Sequence, residues 1–83
     1  MHAIMAQPAA DVFRRNVRRL MDERGLTITE LAEKIGTSRP AMSRILSGVD
    51  GVTIDRAERI AKALKQRLSD LFLEKFDFLA TAS

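Results

Sequence analysis

Apolar residues recur at helical spacing through most of this chain. Phe13, Val17, Leu20 and Met21 stand at i, i+4, i+7 and i+8, one face of a helix. The pattern predicts a first helix that Asp11 caps and Gly25 ends, with Arg14, Arg15 and Arg18 on its opposite face. Thr27-Ile28-Thr29-Glu30 has the spacing of a capping box, in which the threonine hydroxyl takes the amide of Glu30 and the carboxylate reaches back. It opens a second helix whose buried face is Leu31, Ala32 and Ile35. Gly36 supplies the left-handed turn out of that helix, and Thr37 or Ser38 caps the next. Pro40 falls in the first turn of this third helix, where its missing N–H costs nothing.

At 100° per residue, Ala41, Met42 and Ile45 form the core side of the third helix, with Leu46 at its margin. Arg39, Pro40, Ser43, Arg44 and Ser47 cover the other side. Gly48 ends the helix and 49–52 is a loop. Thr53 caps a fourth helix with Ile54, Ala57, Ile60, Ala61 and Leu64 facing inward. Ser69-Asp70 opens a fifth segment whose apolar set is Leu68, Leu71 and Phe72. No strand-like alternation and no internal repeat is visible, so the chain is expected to be all-α. Residues 1–10, with Pro8 and four alanines, carry no clear pattern and are expected to form a mobile N-terminal arm. The domain is placed at 11–73. Residues 74–83 form an apolar tail in which Phe76 and Leu79 extend the stripe of Leu68, Leu71 and Phe72, so it is either a dimer contact or folds back on the core.

Two short helices joined by a glycine turn, the second with arginines and serines on one face, have the layout of a helix-turn-helix. In that motif the second helix enters the major groove of DNA. Composition is compatible with this but does not demand it. The 83 residues have room for one domain, 46% hydrophobic and 30% charged, which is globular. Net charge is only +3, but ten of the fourteen basic residues are arginine, which permits an anionic partner. The absence of cysteine suits a reducing cytoplasm, and no apolar run approaches a membrane span. With one histidine, His2, no cysteine and no glycine-rich phosphate loop, the sequence offers no catalytic residues, no metal site and no cofactor.

From Asn16 to Phe72 the chain resembles the lambda-repressor-like, Xre/Cro-type helix-turn-helix regulators. The resemblance is carried by Asn16-Val17-Arg18, Arg24-Gly25-Leu26-Thr27, Glu30-Leu31-Ala32, Ile35-Gly36-Thr37-Ser38, Met42-Ser43-Arg44-Ile45, Gly48, Ile60-Ala61, Ala63-Leu64 and Asp70-Leu71-Phe72. It implies a compact five-helix domain with the helix-turn-helix at helices 2 and 3, whose third helix reads double-stranded DNA, usually as a homodimer on a two-fold symmetric operator. Two departures stand out. Many members pair an arginine at the position of Met21 with a glutamate at that of Leu46; here both are apolar, and they are expected to touch. Members also often carry a glutamine where Ile28 stands, so the phosphate it would hold is left to the amides at the second helix's start.

Arg39 and Arg44 present paired donors that match guanine O6 and N7. Ser38, Ser43 and Ser47 suit phosphate oxygens, although Ser38 also suits capping. Pro40 either touches a thymine methyl or only fixes the helix start. Thr27 and Thr37 stand at helix starts that face the backbone in the resemblance, and it makes Arg18 a phosphate contact. Asp11–Arg15, Glu30–Lys34, Asp55–Arg59 and Glu58–Lys62 have the spacing of surface ion pairs, which assigns these acids to pairing and not to acid–base catalysis. The expected function is a dimeric repressor that blocks a promoter sterically. The competing reading is an antitoxin that also binds a protein toxin; an adaptor that has lost DNA binding is a third, against which Arg39 and Arg44 argue.

Overall fold

Four α-helices and one 3-10 helix account for the secondary structure of residues 4–74, the part of the chain that the computed structural model describes: α1 (Gln7–Arg24), α2 (Ile28–Ile35), α3 (Arg39–Ser47), α4 (Ile54–Ala63) and the 3-10 helix (Leu68–Phe72). The fifth segment is thus a 3-10 turn in place of the expected α-helix. It is five residues long and gives way to extended backbone at Leu73, a length at which i→i+3 bonding is common. The tail from residue 75, with the dimer contact expected of it, lies outside the described residues. No helix among the described residues is long and apolar enough to cross a membrane.

The caps that the sequence specifies are formed. Thr27 accepts from the Glu30 amide while Glu30 accepts from the Thr27 amide; Ser38 and Thr53 accept from Ala41 and Arg56. Gly25, Gly36 and Gly48 end α1, α2 and α3 in left-handed conformation. The start of α1 is a correction. The helix begins at Gln7, four residues before the expected cap Asp11, with Pro8 in its first turn. The preceding residues are tied down too: the Met5 amide donates to the Val52 carbonyl at 3.0 Å, and Ile4 pairs with Thr53 in a single antiparallel bridge. The boundary drawn at residue 10 therefore moves toward the N-terminus.

Phe13, Val17 and Leu20 of α1 meet Leu31, Met42, Ile45, Ile60, Leu64 and Leu71 in one core, all essentially inaccessible. Leu46, expected at the margin, is fully part of it, whereas Ile54 at the first position of α4 is 38% exposed, so the inward stripe of α4 starts at Ala57. Phe72 packs its ring 5.7 Å from that of Phe13 and closes the core from the C-terminal side.

Polar side chains of α1 bind the ends of other elements. Asn16 is buried, and its amide donates to the carbonyls of Leu71 and Leu73 at 2.8 and 2.9 Å, which fixes the 3-10 helix. Arg24 donates to the carbonyl of Leu64, the C-cap of α4. Helix C-termini leave carbonyls without intrahelical donors and carry partial negative charge, so side-chain donors from α1 satisfy both needs.

Candidate nucleic-acid interface

The turn between α2 and α3 is short because backbone groups close it. Thr37 donates to the Ala32 carbonyl at 2.9 Å and Gly36 to that of Glu33 at 3.2 Å, the paired bonds of a glycine-ended helix. Ser38 then caps α3, so that only Gly36, Thr37 and Ser38 separate the two helices. Met42, Ile45 and Leu46 are buried on the inner side of α3, while Arg39, Pro40, Arg44 and Ser47 are exposed on the outer side and Thr37 and Ser43 are half-buried. The structure thus brings the expected reading residues onto one solvent-facing surface.

The far end of α3 is pinned by two arginines of α1. Arg14 is buried, and the expectation that it lies on the solvent face of α1 is wrong. Its Nε donates to the Ile45 carbonyl at 2.7 Å, its Nη2 to the Asp50 carbonyl at 3.1 Å and its Nη1 to the Asp11 carboxylate at 3.0 Å. Asp11 accordingly pairs with Arg14, not with Arg15. Arg18, expected on a phosphate, directs Nε and Nη2 onto the Leu46 carbonyl at 3.2 and 2.7 Å. Two cations at the C-terminus of α3 complement its dipole and satisfy its last carbonyls. Arg18 stands beside Met21 and Leu46, where packing alone was expected to replace a buried arginine–glutamate pair. Met21 and Leu46 do share the core and line one surface cleft with Arg18, Thr27 and Ile28, so apolar packing and guanidinium–carbonyl bonds act together.

The near end of α3 has the opposite character. Its first turn holds no acidic residue and begins with Arg39. A cation at a helix N-terminus opposes the dipole and destabilises the helix slightly. In α2 the same end carries Glu30, whose carboxyl is held below its ordinary range by the backbone hydrogen bond from Thr27, then by the Thr27 side chain.

Several expected contacts already have partners. Arg44 Nε pairs with the Asp50 carboxylate at 3.0 Å, both groups about half exposed. Ser47 donates its hydroxyl to the Arg44 carbonyl at 3.2 Å. The hydroxyls of Thr27 and Ser38 accept backbone amides, which leaves their own protons for an external acceptor. The sequence marks Asp50 only as a loop residue, because no helical period relates it to Arg44 across Gly48.

The sequence model of the Cro/C1-type HTH DNA-binding domain family matches residues 16–74, from the buried Asn16 to the end of the described chain. Comparison with individual curated proteins gives no match.

Proposed function

The chain belongs to the Cro/C1-type helix-turn-helix DNA-binding family, and on that premise we propose that it is a sequence-specific transcriptional repressor that binds a two-fold symmetric operator as a homodimer. The observation that carries this is the polarity of α3: its C-terminal end is bound to α1 through Arg14 and Arg18, while its N-terminal turn is exposed, without acid, and led by Arg39. A basic helix start without an acidic residue favours an anion or an electronegative groove.

In this reading α3 enters the major groove. Arg39 and Arg44 take guanine O6 and N7, each good bidentate contact contributing about 1–3 kcal/mol of discrimination. Thr27, Thr37, Ser38, Ser43 and Ser47 approach phosphate oxygens, and Pro40 sets the helix start against the groove wall. Arg18 contributes by holding α3, since two of its nitrogens are committed to Leu46. Two copies related by a dyad present their α3 helices about 34 Å apart, one turn of duplex, and a bound dimer over a promoter excludes polymerase.

Selection of bound duplexes from a random pool tests the proposal. A symmetric site with half-sites one turn apart is expected, and Arg39→Ala should relax one position in each half. A pool that shows no enrichment removes sequence-specific regulation as the function.

A further inference from the structure

Resting on the reading of α3 as the groove-facing helix, we infer that Asp50 is a specificity-determining residue that orients Arg44 for a base edge and keeps it off phosphates. The Asp50 carboxylate meets Arg44 at Nε, the side of the guanidinium, at 3.0 Å. Nε is the only Arg44 donor in this contact, so the end-on pair of N–H bonds on the two Nη groups is left, and it forms the fork that matches O6 and N7 of guanine. Arg44 therefore need not release Asp50 in order to read; the ion pair fixes the angle at which the fork is presented.

Asp50 holds this position because its backbone is held. Its amide donates to the Arg44 carbonyl at 3.2 Å, and its carbonyl accepts from Nη2 of Arg14 at 3.1 Å. Arg14 is itself buried and bonded to Ile45, so the carboxylate is carried on backbone tied to the core. A long arginine on an exposed helix face samples many rotamers, and restricting it before binding favours the one contact that fits. The same carboxylate opposes sequence-independent attraction. A duplex offers phosphates everywhere, and a negative group beside the cation reduces what Arg44 gains from any of them, a repulsive element set against wrong sites.

Asp50→Asn tests this, because it keeps the backbone bonds and removes the charge. Binding is measured to the duplex selected from the random pool and to a duplex of scrambled sequence, across a salt series, in the wild type and in Arg44→Ala backgrounds. Asp50→Asn is expected to raise affinity for the scrambled duplex about 2–5-fold, the scale of an exposed ion pair. It should steepen the salt slope by up to about one phosphate's worth and lower the ratio of selected to scrambled affinity. With Arg44→Ala already in place, the substitution should leave that ratio unchanged. An equal gain on both duplexes, or the same loss of ratio without Arg44, overturns the inference and reduces Asp50 to general repulsion. A wild-type chain that binds neither duplex overturns the DNA-binding reading beneath it, an outcome distinct from either.

Discussion

Replacing Arg14 by methionine removes the charge and the three donors while keeping most of the volume. The side chain is only 6% exposed and donates to two backbone carbonyls, Ile45 and Asp50, and to the Asp11 carboxylate. Hydrogen bonds to a charged group contribute about 1.5–3 kcal/mol each, and a buried acceptor left dry costs about 1–3 kcal/mol. The Asp11 bond reaches a carboxylate that is 57% exposed, so its loss costs under about 1 kcal/mol. The Ile45 bond lies inside, and its carbonyl is among the last of α3, without an intrahelical donor. The Ile45 and Asp50 bonds at the lower end of that range, with the small Asp11 contribution, give roughly 3–4 kcal/mol. Swapping a buried ion pair for apolar groups is often neutral, but only when both partners are replaced, and backbone carbonyls cannot be. A chain of this size has about 4–12 kcal/mol of stability in all, so the loss is a large part of it. Urea unfolding followed by helical circular dichroism reads it directly. With a slope of about 1 kcal/mol/M, the midpoint should fall by about 3 M with the slope unchanged. Arg14→Lys, which keeps the charge but presents a single head, should recover part of that. A methionine variant whose midpoint stays within about 0.5 M of wild type refutes the assignment of Arg14 as the fastening of α3.

Other substitutions separate structure from recognition. Arg18→Ala should destabilise the fold by about 1–2 kcal/mol through the Leu46 carbonyl. It should leave the salt slope of DNA binding unchanged; a slope smaller by about one would return Arg18 to the phosphates. Asn16→Ala leaves the Leu71 and Leu73 carbonyls without a donor and should cost about 2–3 kcal/mol, with early hydrogen exchange in the 3-10 helix. The depressed Glu30 carboxyl contributes stability that is present above its ordinary value of 4.5 and lost as pH falls through its lower folded value. Glu30→Gln should therefore flatten the acid limb of the stability curve below about pH 4.5, and curves that run parallel there would contradict the reciprocal cap.

The helices and their ends were legible because they follow local rules. Capping side chains act within three residues, and apolar stripes are set by the helical period. Arg14 and Asn16 were legible in principle. In projection Arg14 lies about 20° from Met21, and Asn16 about 40° from Leu20, inside the buried arc and not opposite it. What hid them is that a polar residue at such a position reads as surface unless its partner is known, and the partners are backbone carbonyls 31 and 55 residues away. Pro8 misleads in another way: proline suggests irregular chain, although the first turn of a helix is where it is tolerated best. The pairing of Arg44 with Asp50 depends on how the chain turns at Gly48, which no periodicity encodes. The exposed side of α3 was legible too, since it follows from the same period that buries Met42 and Ile45.

The bonds that hold α3 from behind end on main-chain oxygens of Ile45 and Leu46. Any residue supplies such an oxygen. The outward residues of α3 can therefore be exchanged as a cassette without redesigning the anchorage, and a new target sequence could be acquired while the scaffold keeps its stability. For engineering, this makes Arg39, Pro40, Ser43 and Ser47 the positions to randomise, with Arg14, Arg18 and the Arg44–Asp50 pair left in place.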